Sequence, residues 1–147
     1  MCGIAGIIGS AESTESRAER VARMNAAMHH RGPDDTGIHS TETACIGMRR
    51  LAIFDPAHGH QPMATKDGRH VLVFNGAIYN FQDLRAELEP RGHSFHTHCD
   101  TEVLLAALVE WGAAALPKLR GMFAFAWWDS LEKRLFMARD PDLTSLF

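Results

Sequence analysis

The order of strand-like and helix-like segments along the chain constrains the fold most. Short apolar runs predict strands at residues 3–8, 44–48, 51–54, 70–74, 122–128 and 134–138. Apolar residues at helical spacing predict helices over residues 17–28, 81–91 and 101–111. Strands near both ends with helices between them favour a layered α+β fold with largely antiparallel sheets over a doubly wound parallel sheet.

Local signals predict where the helices begin and end. Asn80 and Asp100 each precede a predicted helix, and their side chains are suited to capping the first backbone N–H groups. Gly92 and Gly112 follow the same two helices and predict their ends. Trp127 and Trp128 are neighbours on a predicted strand, so their side chains should face opposite sides, and at least one should be in the core.

Composition predicts one domain, spanning residues 1–147, and limits its partners. The chain is 46% apolar and 22% charged, as in ordinary globular proteins, and its net charge of -3 argues against nucleic-acid and anionic-membrane partners. The three cysteines fit no disulfide framework or metal-binding spacing, so we expect a reducing, cytoplasmic compartment, with Cys45 and Cys99 serving as packing residues. None of the nine histidines has a carboxylate or cysteine at ligand spacing, and we predict no metal site.

Cys2 is the first candidate for chemistry because it directly follows Met1. Removal of Met1 would leave a thiol and a free α-amine on the same residue. A thiol is a weak nucleophile until it is deprotonated, and an α-amine can accept that proton at neutral pH. The alternative is that Cys2 only precedes an apolar first strand.

Three other local patterns each have a structural and a functional interpretation. Arg50 at the start of a predicted strand could bind a carboxylate through two hydrogen bonds, or it could be a solvated surface residue. The pair Asn75-Gly76 is typical of a turn, but an amide side chain beside a glycine N–H also supplies the two converging donors of an oxyanion hole. Asp100 could simply cap its helix.

Several motifs in a fixed order indicate a family. They are Met1-Cys2-Gly3-Ile4-Ala5-Gly6, His30-Arg31-Gly32-Pro33-Asp34-Asp35, Arg50-Leu51-Ala52-Ile53 with Asp55, Gly59-His60-Gln61-Pro62-Met63, Asn75-Gly76, Asp100-Thr101-Glu102 and Arg120-Gly121-Met122-Phe123-Ala124-Phe125-Ala126. Together they resemble the glutamine-hydrolysing domain of class II amidotransferases, the N-terminal-nucleophile family. The resemblance covers residues 2 to about 140 and is greatest to the asparagine synthetases.

The resemblance implies an N-terminal-nucleophile fold, a four-layer α/β/β/α sandwich of antiparallel sheets. It also implies that Cys2 attacks the side-chain amide of L-glutamine and that the resulting thioester is hydrolysed, which releases ammonia and glutamate. Asn75 and the N–H of Gly76 would hold the oxyanion. The substrate-binding residues would be Arg50 for the α-carboxylate, Asp100 for the α-ammonium, and Leu51, Ile53, Asn75 and Gly76.

The resemblance also implies partners. The ammonia would pass to a synthetase domain or subunit, and ATP and Mg²⁺ would be used only there, because this sequence contains no glycine-rich phosphate loop. This chain itself should need no cofactor. A homo-oligomer is compatible with the sequence, and we expect no membrane or nucleic-acid partner.

Two features depart from the family pattern. Ala77 stands where the asparagine-synthetase branch carries a glutamate that is expected to help bind the substrate ammonium. After Arg139-Asp140 the sequence no longer follows the family, so C-terminal strands of the glutaminase domain are expected to be missing. The alternative function is therefore a catalytically weak relative of the same fold that binds glutamine or a protein partner. Asp34, Asp35, His29 and His30 are expected to order the loop around Arg31.

Overall fold

The structure is a computed structural model that describes residues 2–51 and 59–141. Its strands are β1 (Gly3–Ile8), β2 (Asp35–Ser40), β3 (Ala44–Arg50), β4 (Met63–Ala64), β5 (His70–Ile78), β6 (Gly121–Asp129) and β7 (Arg134–Arg139). Its α-helices are α1 (Thr14–Ala27), α2 (Phe81–Leu88) and α3 (Asp100–Trp111). Short 3₁₀ helices span His29–Arg31, Glu89–Arg91 and Gly112–Lys118.

The strands form two antiparallel sheets. The first has the order β1-β3-β2 and the second has the order β4-β5-β6-β7. Helix α1 packs on the first sheet, and α3 packs on β5 of the second sheet and against α2. This arrangement confirms the predicted α+β class and the four layers in the order α/β/β/α.

Residues of β5 and β6 alternate between two cores. Leu72 and Phe74 of β5 pack with the residues of α2 and α3, whereas Val71 and Val73 pack between the two sheets. Trp127 lies in the helix-side core and Trp128 lies in the core between the sheets, so the predicted opposition of the two tryptophans is confirmed, and both are buried. The second sheet therefore contributes side chains to both cores, one from each of its faces.

The lengths of some elements differ from the prediction. Helix α1 begins at Thr14 and not at residue 17, because the hydroxyl of Ser13 accepts a hydrogen bond from Ser16 N at 3.2 Å and caps the helix there. Strand β2 was not predicted: only one large apolar residue, Ile38, marks it. The predicted strand at 51–54 lies mostly outside the described residues, and Leu51 is not in a strand.

The predicted cap of α2 by the Asn80 side chain is wrong, and Asp100 does not occupy the cap position of α3. Asn80 precedes α2 but donates through its side chain to Lys118 O and accepts from Arg120 N, and it makes no cap hydrogen bond. Asp100 is the first residue of α3, with Cys99 in the cap position. The Asn80 side chain thus bonds residues distant in sequence. The Asp100 carboxylate accepts from Ile78 N of β5 and also from backbone N–H groups at the start of its own helix.

Candidate active site

Cys2 lies immediately before β1, where the first sheet faces β5 of the second. Its backbone nitrogen donates to Oδ1 of Asn75 at 3.1 Å. Its sulfur accepts a hydrogen bond from Leu51 N at 3.4 Å and is 3.8 Å from Leu51 O. The thiol is half-buried and therefore remains reachable. These contacts hold both the nitrogen and the sulfur of the candidate nucleophile in place.

Arg31 also positions Cys2, a role that the sequence analysis missed. Its Nε donates to the carbonyl oxygen of Cys2 at 3.1 Å. The loop that carries it is pressed against the end of β3, since a Cβ on Gly32 would overlap the backbone of Arg49 and Arg50. The sequence signal for this role was the Arg31-Gly32-Pro33 segment directly after a helix end. Only a glycine at position 32 lets the loop approach the backbone of β3 so closely.

Asn75 belongs to a strand and not to a turn, which corrects the structural interpretation of the Asn-Gly pair. β5 continues through Asn75 and Gly76 to Ile78. Asn75 is buried and faces the first sheet, where its Oδ1 is bound to Cys2 N. Its Nδ2 group is therefore the part of the amide that can donate to a substrate beside the thiol.

The N–H of Gly76 faces away from β6. Tyr79 N donates to Arg120 O toward β6, at 2.7 Å, and Ile78 N donates in the opposite direction to Oδ2 of Asp100, at 2.9 Å. Successive N–H groups of a strand alternate between its two edges, so Gly76 N–H shares the edge of Ile78. Gly76 has a φ of 151° and a Cβ there would overlap the facing strand, which explains the glycine.

Arg50 and Asp100 are both buried, at 6% and 7% exposure, although they were predicted to bind opposite ends of a substrate. Burial raises the pKa of the Asp100 carboxyl above its ordinary value, because desolvation disfavours the charged form. Hydrogen bonds from backbone N–H groups, including that of Ile78, and the positive charge of Arg50 act in the opposite direction. A cation bound beside Asp100 would stabilise its charged form further.

Two cavities adjoin these residues. The larger, of about 560 Å³, is lined by Cys2, Met28, Arg31 and Asn75 and by residues of β1, β6 and β7 that include Met137 and Arg139. The smaller, of about 240 Å³, is lined by Ala77, Ile78, Tyr79, Phe81, His98 and Asp100. Cys2 and Asn75 thus line the larger cavity. Asp100 lines the smaller one together with Ala77, the residue that departs from the family pattern.

The remaining predicted residues are placed as follows. Leu51 contacts the sulfur of Cys2 through its backbone, while Ile53 and Asp55 lie outside the described residues. Asp35 begins β2 and its carboxylate is 2.7 Å from Nδ1 of His60, while its expected role in ordering the Arg31 loop stays a prediction. Cys45 and Cys99 are buried.

Neither a metal site nor a membrane span is found within residues 2–51 and 59–141. Histidine, cysteine and carboxylate side chains do not gather there in groups of three that could hold a metal ion. The helices of these two ranges are also too short or too polar to cross a membrane.

Relatives of known sequence match nearly the whole chain. Asparagine synthetase [glutamine-hydrolyzing] 1 of Bacillus subtilis is 43% identical over 143 residues, which cover 96% of this chain and 23% of that protein. The putative asparagine synthetase [glutamine-hydrolyzing] of Mycobacterium tuberculosis is 42% identical over 156 residues, covering 96% and 24%. The chain therefore spans about a quarter of the length of these relatives.

Solved structures support the fold. The glutamine phosphoribosylpyrophosphate amidotransferase of Bacillus subtilis superposes with a TM-score of 0.68 at 22% identity, covering 95% of this chain and 37% of that one. A structure described as the allosteric regulatory enzyme of purine biosynthesis gives a TM-score of 0.73, also at 22% identity and with the same coverage.

A family model described as the glutamine amidotransferase domain matches residues 1–142 of this chain. The chain therefore belongs to the glutamine amidotransferase domain family.

Proposed function

We propose that this chain hydrolyses L-glutamine to glutamate and ammonia through a thioester on Cys2. The observation that carries the proposal is the hydrogen bond between Cys2 N and Asn75 Oδ1, which places the thiol-bearing residue beside an amide donor. Family membership and the relatives named as glutamine-hydrolysing synthetases support the same substrate.

The first step forms the thioester. The sulfur of Cys2 attacks the carbon of the side-chain amide, a C–S bond forms, and the C–N bond of the amide then breaks. Once Met1 is removed, the free amine of Cys2 carries the thiol proton to the departing nitrogen, which leaves as ammonia. In the structure this nitrogen is a peptide N–H that donates to Asn75 Oδ1 at 3.1 Å. Once Met1 is removed, the free amine would keep Asn75 Oδ1 as an acceptor for one N–H, and its lone pair would serve as the base.

The second step regenerates the thiol. Water attacks the glutamyl thioester, the C–S bond breaks, and glutamate leaves. In both steps the tetrahedral oxyanion would accept hydrogen bonds from Asn75 Nδ2 and Gly76 N–H, donors held by one strand. The α-carboxylate would bind Arg50 and the α-ammonium would bind Asp100, two buried groups of opposite charge.

The fate of the ammonia is a further part of the proposal. A synthetase domain or subunit outside this chain would consume it with ATP and Mg²⁺, as the names of the relatives suggest. The chain would act in the cytoplasm, which agrees with its unpaired cysteines. Association into a homo-oligomer remains a prediction.

Ammonia release from L-glutamine tests the proposal. We expect release by the purified chain, with removal of Met1 verified by intact mass, and none above background by Cys2→Ala of the same thermal stability. Release by Cys2→Ala at the wild-type rate would contradict the role of Cys2.

One observation favours the second candidate, a catalytically weak glutamine-binding relative. Ala77 lines the smaller cavity beside Asp100 and offers no carboxylate to an ammonium group. Calorimetry and the ammonia assay together distinguish the two functions, because this candidate predicts glutamine binding without ammonia release.

A further inference from the structure

The side chain of Gln61 joins the two elements that carry the candidate site. Its Oε1 accepts from Phe74 N of β5 at 2.6 Å, and its Nε2 donates to the hydroxyl of Thr101 in α3 at 3.5 Å. Gln61 is buried at 7% exposure and Thr101 at 4%. Both ends of one amide are thus used, in a place where an unpaired polar group would be costly.

The backbone of Gln61 is fixed from the other side. Gly37 of β2 packs so closely against Gln61 that a Cβ on the glycine would overlap the carbonyl oxygen of Gln61. The residue therefore contacts the first sheet through its backbone and reaches the second sheet and α3 through its side chain. It has little freedom to move away from either partner.

The two ends of this bridge are next to site residues. Phe74 directly precedes Asn75, and Thr101 directly follows Asp100. On the same edge of β5, Ile78 N donates to Asp100 Oδ2. The N–H of Gly76 lies on this edge between Phe74, which Gln61 links to α3, and Ile78, which bonds Asp100. These two connections together fix the separation between the proposed oxyanion donors and the carboxylate of Asp100.

We propose that Gln61 is a positioning residue that holds Asn75 and Gly76 at the distance from Asp100 that an amino-acid amide must span. The inference rests on the proposed function, since it assumes a substrate with a reactive amide carbon at one end and an ammonium at the other. Gln61 itself contacts neither end. Its loss should weaken recognition of the whole amino acid while the thiol keeps its ordinary reactivity.

Covalent labelling of Cys2 tests this without requiring turnover. The reagents are a diazoketone analogue of L-glutamine, which must span the site, and iodoacetamide, which needs only the thiol. Labelling rates at Cys2 are read by peptide mass spectrometry in the wild type, Gln61→Met and Gln82→Met. The last variant is the matched control, because Gln82 is exposed on α2.

We expect Gln61→Met to lower the diazoketone rate about ten-fold, the loss that one buried hydrogen bond can produce, and to leave the iodoacetamide rate unchanged. Gln82→Met should change neither rate. If Gln61→Met does not fold, Thr101→Val tests the same role. It keeps the shape of the side chain at position 101 and removes the hydroxyl that accepts from Gln61 Nε2. We expect it to slow the diazoketone selectively.

The outcomes separate this inference from the proposed function. A wild type whose ratio of diazoketone rate to iodoacetamide rate is no greater than that of free cysteine contradicts both. A wild type selective for the diazoketone, with selectivity unchanged in Gln61→Met or Thr101→Val, contradicts the positioning role alone. Equal slowing of both reagents also contradicts it, because that result indicates a general disturbance of the site.

Discussion

The backbone nitrogen of Cys2 donates to the side-chain oxygen of Asn75 at 3.1 Å. This hydrogen bond connects the residue before β1 of the first sheet to β5, an inner strand of the second sheet. The two residues are 73 positions apart in the sequence. The packing of one sheet on the other therefore sets the geometry of the candidate nucleophile.

Replacing Asn75 by alanine should reduce kcat for glutamine hydrolysis. The variant loses the Nδ2 donor proposed for the oxyanion and also the acceptor of Cys2 N. Removal of one such donor is worth about 10²–10³ in kcat, and we expect at least that loss. Steady-state ammonia release measures it, with thermal melting as the control for folding. A kcat within the error of the wild type would exclude Asn75 from the oxyanion site.

Replacing Gly76 by alanine should destabilise the protein more than the same change at Gly68. Both glycines have positive φ, 151° and 71°, but a Cβ at Gly76 would overlap Met122 and Phe123, whereas a Cβ at Gly68 meets nothing within 4 Å. We expect Gly68→Ala to lower the free energy of unfolding by about 1 kcal/mol and Gly76→Ala by more than about 2 kcal/mol. Urea denaturation measures both, and equal losses would contradict the close approach of β5 and β6.

Replacing Ala77 by glutamate should strengthen glutamine binding. The alanine lines the smaller cavity beside Asp100, and the new carboxylate would add a charge-assisted hydrogen bond to the ammonium. Such a bond is worth about 1.5 to 3 kcal/mol, so KM should fall about ten-fold or more while kcat changes little. Ala77→Gln is the matched control, because it has the same size without the charge. Equal KM values for the two variants would contradict an ammonium site at this cavity.

Glutamine binding should weaken in mild acid. Only the charged form of Asp100 attracts an ammonium, and burial raises the pKa of this carboxyl above the ordinary value of 3.8. The proton is therefore taken up at a higher pH than by an exposed aspartate, and KM should rise as the pH falls through that raised pKa. The KM profile of Asp100→Asn should be flat over the same range and its KM higher at neutral pH. A wild-type KM independent of pH down to the ordinary aspartate range would contradict the role of Asp100.

The sequence predicted the layers of the fold better than the contacts of its polar side chains. The α+β class followed from the order of apolar segments, and the opposite orientation of Trp127 and Trp128 followed from strand geometry. Strand β2 was missed because its pairing with β3 depends on tertiary contacts and not on its own composition. Local patterns could not reveal that the side chains of Asn80 and Asp100 both bond backbone groups distant in sequence, Lys118 O for Asn80 and Ile78 N for Asp100.

The sequence suggested candidate site residues but not the residues that hold them in place. Cys2 and Asn75, two of the residues that the sequence motifs single out, are in contact in the structure. Arg31 and Gln61 were not assigned roles, because their hydrogen bonds reach backbone groups that are 29 and 13 positions away. A single sequence contains the residue types of such supports but not the packing that brings them to their partners.

Direct detection of the covalent intermediate tests the central claim, that Cys2 carries a thioester during glutamine hydrolysis. The purified chain without Met1 would be mixed with L-glutamine, quenched in acid within its turnover time, and examined by intact and peptide mass spectrometry. The account predicts a glutamyl group on the peptide that contains Cys2, and its absence in Cys2→Ala. Ammonia release that continues in Cys2→Ala, with no glutamyl group found on the wild type, would contradict it.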